Sequence, residues 1–161
     1  MSSPDTSARW PDLAGRIVTG DAGWRHILPV RVYFEDTDFS GLVYHGSYVR
    51  WCERGRSDFL RLVGNDHRAL IEGSAGSDAA AFVVRRMRLE YLKPARIDDI
   101  LEVVTRLQET TAATLTLDQR VFRDGIELFT AEVMVVLVSR TGKPLRLSTA
   151  LRDALRDGGS L

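Results

Sequence analysis

The stretch Glu35-Asp36-Thr37-Asp38-Phe39-Ser40-Gly41-Leu42-Val43-Tyr44-His45-Gly46-Ser47-Tyr48 determines how the rest of the chain is interpreted. It follows a short, β-like apolar run at 30–34 and precedes the only long helical pattern in the sequence, at 48–63. Two carboxylates, a glycine-containing turn and a helix start therefore fall close together. Polar groups gathered in a loop between two regular elements are typical of functional sites.

The helix predicted after this stretch is amphipathic, because apolar or small residues recur at spacings of three and four. These residues are Tyr48, Cys52, Gly55, Phe59 and Leu62. Ser47 is predicted to cap the N-terminus with its hydroxyl, and Gly64 to end the helix. A glycine inside a helix costs about 1 kcal/mol relative to alanine, so we expect Gly55 to pack closely against a flat surface such as a sheet.

The second half of the chain consists mostly of predicted strands, with β-branched or alternating residues at 81–92, 100–107, 112–122 and 126–139. Val30 to Glu35 is predicted as an earlier strand, and Asp124-Gly125 as a tight hairpin turn. No helical pattern separates the later four strands, so we expect them to pair antiparallel. The prediction is an α+β fold with a five-stranded antiparallel sheet and one long helix.

The length of 161 residues predicts one folded domain. Residues 1–26 contain several prolines and glycines without periodicity, and we expect a mostly flexible extension. Trp10 and Trp24 are expected to dock that extension onto the domain or onto a partner subunit. The main domain is predicted at 27–147, followed by a short C-terminal helix and tail at 148–161 with Ser148 as its cap.

Composition excludes several classes of protein. Lys+Arg and Asp+Glu are both 22, and this balance argues against a nucleic-acid binder. Cys52 is the single cysteine, so neither an intramolecular disulfide nor a multi-cysteine zinc site is expected. We expect Cys52 to be a small buried apolar group. The first residues lack a signal-peptide pattern, and the longest apolar run, 133–138, is too short to span a bilayer. We expect a cytoplasmic protein.

Two interpretations of the Asp-rich turn fail. A calcium loop would use Asp36, Asp38, Ser40 and Gly41, but Ser47 stands where a bidentate glutamate is required. A strand followed by Asp-x-Asp also resembles the nucleophile motif of haloacid-dehalogenase-like phosphatases. Those enzymes need a parallel sheet with crossover helices, and the predicted strands have no such helices between them.

Acyl thioester chemistry fits the stretch better. A thioester carbonyl needs a carboxylate that attacks it or activates water, and N–H donors for the oxyanion. The N-terminus of a helix supplies free N–H groups and the positive end of the helix dipole. Asp38 lies a few residues before such a terminus. The arrangement therefore suits both tasks.

The segment 30–48 closely resembles the hotdog-fold thioesterases of the 4-hydroxybenzoyl-CoA thioesterase type, through its pattern Glu-Asp-Thr-Asp-x-x-Gly-x-Val-Tyr-His-x-Ser-Tyr. The likeness is greatest to the YbgC-like branch, acyl-CoA thioesterases associated with the Tol-Pal system. It covers roughly 29–143 and leaves the N-terminal extension outside. The further matching segments are Glu53-Arg54-x-Arg56, 81–87, 90–99, Gln119-Arg120 and Ala131-Glu132-Val133.

This resemblance implies roles for individual residues. The family's catalytic carboxylate corresponds to Asp38, as nucleophile or as general base, and the oxyanion donor corresponds to the backbone N–H of His45. The side chain of His45 remains open between a site role and a structural one. Asp36 is expected to shape the turn. The residues expected to bind the acyl group are Val43, Tyr44 and Tyr48.

The resemblance also implies partners. The expected substrate is an acyl-CoA or an acyl-carrier-protein thioester, with no metal or redox cofactor and with coenzyme A present only as part of the substrate. Hotdog domains pair sheet edges, so a homodimer or homotetramer is expected, with Phe82 and Val84 packing between the helix and a neighbouring subunit. The Tol-Pal link implies peripheral association with cell-envelope machinery. A basic patch for coenzyme A could come from Arg85, Arg86, Arg88, Lys93 and Arg96, although a solvated strand face explains these residues equally well.

Two alternatives remain within the same fold. One is a non-catalytic hotdog domain that binds acyl groups or partner proteins, against which the intact Asp38 argues. The other is a dehydratase, which typically uses a histidine and an acidic residue elsewhere in the fold. The chain offers only His26, His45 and His67 for that chemistry.

Overall fold

The computed structural model describes residues 15–64, 73 and 79–158, which form one antiparallel sheet and two helices. The strands join in the order β1-β2-β4-β5-β6-β3. No helix in these ranges is long and apolar enough to cross a membrane. The elements are β1 (Arg16–Gly20), β2 (Gly23–Arg31), α1 (His45–Leu62), β3 (Ala80–Tyr91), β4 (Ile100–Thr110), β5 (Thr114–Arg123), β6 (Ile126–Ser139) and α2 (Thr149–Arg156).

The predicted α+β architecture is confirmed, with the long helix α1 packed on one face of the antiparallel sheet. The number of strands is six in the described residues, where five were predicted. The strand predicted at Val30 to Glu35 is wrong beyond Arg31, because its partner β4 begins opposite Arg31 at Ile100. A 3-10 turn at Phe34–Asp36 follows instead. The apolar pattern of a strand does not by itself show where its partner strand begins, and so does not show where the pairing ends.

The extra strand comes from a hairpin between β1 and β2, so the prediction of a flexible extension is wrong for residues 16–26. Trp24 anchors this hairpin by stacking on Phe59 of α1, with 4.8 Å between ring centroids. Its indole Nε1 also donates to the carbonyl of Arg156, at 3.2 Å. Trp24 thus docks onto the domain, which is one of the two predicted alternatives. Residues 1–14, including Trp10, lie outside the described residues.

Helix α1 begins at His45 rather than at Tyr48, and Ser47 is not its cap. Tyr44 is the N-cap residue, and its backbone N–H donates to the carbonyl of Asp36 at 2.8 Å. The buried hydroxyl of Ser47 donates to the same carbonyl at 2.9 Å. The first turn of the helix is therefore fixed to the Asp-rich turn by tertiary bonds instead of by a local cap. Gly64 follows the helix with φ +91°, as predicted for a stop.

Close packing of Gly55 on the sheet is confirmed. A Cβ at this position would lie 3.2 Å from Oγ1 of Thr105 and 3.2 Å from Cγ1 of Val103. Beside it, Gln119 donates to the carbonyl of Cys52 and to Thr105 Oγ1, at 2.9 Å each. Burial raises the pKa of Cys52 to about 12, so its thiol stays protonated and serves as a buried packing group, as predicted.

A second buried polar cluster ties the N-terminal hairpin to the helix. Nε2 of His26 lies 2.7 Å from the carboxylate of Asp58, which also accepts from the backbone N–H of Gly15 at 2.7 Å and from Arg61. Among the described residues, the buried Nδ1 of His26 has no hydrogen-bond partner. Burial lowers the pKa of His26, and this outweighs the opposing effect of the hydrogen bond with Asp58. The folded protein thus holds His26 neutral.

The free energy of unfolding should therefore fall as the pH drops below about 6.5, the ordinary pKa of histidine. In that range the unfolded chain binds a proton on His26 and the folded chain does not, so acid favours unfolding until the lowered pKa of the folded state is reached. Urea denaturation on either side of this pH measures the change. His26→Gln keeps a side-chain N–H for Asp58 and should show a smaller slope; an unchanged slope would contradict this role for His26.

Candidate active site

Asp38 lies in a tight turn that holds its carboxylate on the surface. Oδ1 accepts from the backbone N–H of Ser40 at 2.8 Å and from the Ser40 hydroxyl at 2.5 Å. The N–H of Gly41 donates to the Asp38 carbonyl at 3.0 Å, and Gly41 takes φ +79°, which favours glycine. The carboxylate is thereby fixed in direction while it stays accessible.

The hydroxyl of Ser40 lowers the pKa of Asp38 below its ordinary value, and the Ser40 backbone N–H acts in the same direction. Asp38 is therefore ionised at neutral pH, as a nucleophile or general base must be. The neighbouring His45 makes a smaller contribution to the lowering of the Asp38 pKa. The role of Ser40 as the partner of Asp38 was not predicted, although Asp-x-Ser is a common turn pattern that signals such a bond.

Asp36 is buried and connects the turn to the helix, in agreement with its predicted structural role. Its Oδ2 accepts from the backbone N–H of Tyr33 at 2.8 Å. Its carbonyl receives the bonds from Tyr44 and Ser47 described above. The two aspartates of the motif thus differ in exposure and in partners.

The start of α1 presents free donors beside this turn. Within the described part of the chain, the backbone N–H groups of His45 and Gly46 have no hydrogen-bond acceptor. They lie at the positive end of the helix dipole. An oxygen atom that gains negative charge would be stabilised there.

The three predicted acyl-binding residues lie at different depths. Tyr44 is half-exposed, and the centroid of its ring lies 4.4 Å from that of His45. Val43 is buried, and its N–H donates to the Ala95 carbonyl at 2.9 Å. Tyr48 is buried as well, and its hydroxyl accepts from the Ala95 N–H at 3.0 Å. The structure thus gathers Asp38, Tyr44 and His45 at the surface and places Val43 and Tyr48 in the layer below.

The loop between β3 and β4 supports this surface from the side. Leu42 and Arg96 form an isolated β-bridge, so the loop lies directly against the Asp38 turn. Arg123 holds the loop through the Asp99 carboxylate at 2.7 Å and the Pro94 carbonyl at 3.2 Å. In the described ranges, no group of three or more His, Cys, Asp or Glu side chains could hold a metal ion.

Comparison with known proteins agrees with this geometry. The family model of the thioesterase superfamily matches residues 40–130. The acyl-CoA thioester hydrolase YbgC of Escherichia coli is 43% identical over 111 residues, which cover 68% of this chain and 79% of the relative. This chain belongs to the thioesterase superfamily, in its YbgC-like branch. The acyl-CoA thioesterase YbgC of Haemophilus influenzae is 39% identical over 111 residues, which cover 69% of this chain and 79% of the relative.

Solved structures confirm the hotdog fold of this family member. A probable thioesterase from Bartonella henselae superposes with a TM-score of 0.74 at 40% identity, covering 77% of this chain and 99% of that one. A hypothetical protein from Aquifex aeolicus superposes with a TM-score of 0.72 at 29% identity, covering 80% of this chain and 98% of that one. The recognition made from the motif at 35–48 is therefore confirmed. The family model begins two positions beyond Asp38, so this match does not cover that residue. The role proposed for Asp38 is supported by the geometry of the turn.

Proposed function

We propose that the protein hydrolyses acyl-CoA thioesters to the free acid and coenzyme A, with Asp38 as the reacting carboxylate. The observation that carries the proposal is an exposed, ionised carboxylate, fixed by Ser40, in the turn that leads into the free N–H groups of α1. The relatives from Escherichia coli and Haemophilus influenzae are named for this activity.

The backbone N–H of His45 donates to the thioester carbonyl oxygen and stabilises the charge that develops on it. In the general-base route, Asp38 takes a proton from water as the water oxygen bonds to the acyl carbon. In the nucleophilic route, Asp38 itself bonds to that carbon, and water then opens the mixed anhydride. In both routes the C–S bond breaks and the sulfur of coenzyme A leaves with its electron pair and gains a proton. No resident cofactor is needed for either route.

The two routes are separated by a single turnover in ¹⁸O-labelled water at enzyme excess. Label in the Asp38 carboxylate after one turnover shows attack by Asp38, because water that opens the mixed anhydride at the aspartyl carbon leaves its oxygen there and releases an unlabelled acid. Activation of water places the label only in the acid product. Mass spectrometry of the peptide that contains residues 35–48 reads out the difference.

Coenzyme A carries several negative charges, and two exposed cations lie on the loop beside the turn. Arg96 forms the β-bridge with Leu42, and Lys93 stands before Pro94 in the same loop. These two residues are proposed to bind phosphate groups. Tyr44 would form the exposed wall of the acyl site, and Val43 and Tyr48 the layer beneath it.

The function is tested by following thiol release from a panel of acyl-CoAs and from the same acyl groups on a carrier protein. Hydrolysis of at least one acyl-CoA is expected. Turnover of the carrier-protein thioesters alone would replace the substrate class. Absence of turnover with every thioester would favour a non-catalytic acyl- or partner-binding domain, and magnesium-dependent phosphatase activity would favour phosphoryl transfer.

The proposed oligomer is a homodimer, or a homotetramer of two dimers, joined through β3. This 12-residue strand lies at one edge of the sheet. Exposed strand edges with apolar side chains favour pairing with another chain. Phe82 packs partly against the core, whereas Val84 is 46% exposed. The other exposed apolar residues of the strand are Val83, Leu89 and Tyr91.

Sedimentation equilibrium should give a mass of two or four protomers of 18.0 kDa. Val84→Lys places a charge on the exposed part of β3 and should shift the protein toward the monomer. Val18→Lys is the matched control, because Val18 is also partly exposed but lies on β1, the opposite edge of the sheet. Dissociation caused by Val18→Lys instead would assign the interface to β1.

A further inference from the structure

Tyr91 lies close to the candidate active site, and the sequence did not predict this position. It lies at the end of β3, far from the motif in sequence, yet its hydroxyl donates to the carbonyl of His45 at 2.8 Å. Its ring meets the His45 ring edge-on, with 6.4 Å between centroids. Tyr91 therefore contacts the first turn of α1, where the free donors lie.

The carbonyl of His45 and the N–H of Gly46 belong to the same peptide group. A hydrogen bond accepted by a carbonyl polarises its amide and strengthens the N–H as a donor. The N–H of Gly46 has no acceptor in the described part of the chain. The Tyr91 hydroxyl is thus linked through one peptide to a second free donor beside the proposed oxyanion position.

The surroundings keep this arrangement in place. The Tyr91 ring packs against Phe129 and Tyr48, with centroid distances of 5.0 and 5.6 Å. A Cβ at Gly46 would lie 2.6 Å from Cε1 of Tyr44, so the ring of Tyr44 rests directly on this residue. Tyr91 and Tyr44 therefore both contact the His45–Gly46 segment.

We propose that Tyr91 is a positioning residue, and that its hydroxyl holds and polarises the His45–Gly46 peptide so that the Gly46 N–H acts as a second oxyanion donor. The proposal rests on the proposed thioester hydrolysis. Tyr91 does not touch the reacting atoms; it acts through the peptide. The first turn of a helix readily frays, and the hydroxyl restrains that motion during the reaction. Burial raises the pKa of Tyr91, which keeps its hydroxyl protonated as a donor.

The test is Tyr91→Phe, which keeps the aromatic packing and removes only the hydroxyl. The loss of one neutral hydrogen bond should lower kcat for thiol release by about three- to tenfold and leave KM within about twofold. Tyr33→Phe is the matched control, because it removes the hydroxyl of another exposed tyrosine near the motif, and it should leave kcat unchanged. All rates are measured well below the melting temperature of each variant.

A second measurement does not depend on catalysis. NMR backbone order parameters at His45 and Gly46 should be lower in Tyr91→Phe than in the wild type, because the hydroxyl no longer restrains the peptide. An unchanged kcat, a rise in KM alone, an equal loss in Tyr33→Phe or unchanged order parameters at these two residues would each overturn the proposal. The wild type separates the two levels: if it releases thiol from none of the acyl-CoAs the proposed function fails, whereas a wild type that turns over and a Tyr91→Phe variant with unchanged kcat overturn only the role of Tyr91.

Discussion

Replacing Asp38 by asparagine should lower kcat for acyl-CoA hydrolysis by about 100- to 10,000-fold, the range typical of losing a general base or an activated nucleophile. Asparagine has the shape of aspartate and can still accept the bond from the Ser40 N–H. It lacks the negative charge that attacks the carbonyl or takes the proton from water. Thiol release with the best acyl-CoA of the panel measures the loss, and equal rates for wild type and variant would remove Asp38 from the mechanism.

Asp36→Asn is the control for that experiment. The same change is made two residues earlier, at a buried carboxylate that accepts from the backbone N–H of Tyr33. Asparagine can accept this bond through its amide oxygen, so kcat should stay close to that of the wild type. A large loss of turnover in Asp36→Asn at full stability would mean that the roles of the two aspartates are wrongly divided.

Replacing Phe59 by alanine should lower the free energy of unfolding by about 3–5 kcal/mol, the usual cost of deleting a fully buried aromatic ring. Phe59 is fully buried on α1, and Trp24 of the N-terminal hairpin stacks on it. The substitution therefore leaves a cavity in the core and also removes the surface on which the hairpin is anchored. Urea denaturation at a fixed protomer concentration measures the change.

The control for this prediction is Phe39→Ala. Phe39 is fully exposed in the protomer, so the same deletion leaves no cavity, and the change should stay within about 0.5 kcal/mol. A loss for Phe59→Ala no greater than that for Phe39→Ala would mean that the stacking of Trp24 on α1 does not hold the hairpin in solution.

Local patterns predicted much of the fold. The bounds of β3, β5, β6 and α2 agree with the predicted segments to within two residues, and β4 continues to Thr110 beyond its predicted end at Leu107. Ser148 caps α2 by accepting from the N–H of Leu151 at 3.1 Å, as predicted. Asp124 and Gly125 both take positive φ, as the predicted tight hairpin requires. These features depend on residues close together in sequence, and side-chain periodicity and turn chemistry report on them directly.

The candidate site was predicted in part for the same reason. Asp38 and the helix start lie within one local stretch, so the motif at 35–48 brings them together with little help from the rest of the chain. The separate role of Asp36 also follows from its place in the turn. The depths of Val43 and Tyr48 were not predictable, because the loop at Ala95 that covers them comes from between β3 and β4.

By itself, the sequence determined the antiparallel α+β architecture, the amphipathic helix with Gly55 against the sheet, and the motif that contains Asp38. Only the tertiary structure decided that Trp24 anchors a sixth strand, that Ser47 bonds to Asp36 instead of capping α1, and that Tyr91 reaches the His45 carbonyl. Periodicity indicates which face of an element is apolar and turn residues indicate where an element ends. Neither shows which distant atom satisfies a given polar group, because that pairing exists only once the helix and the sheet have packed together.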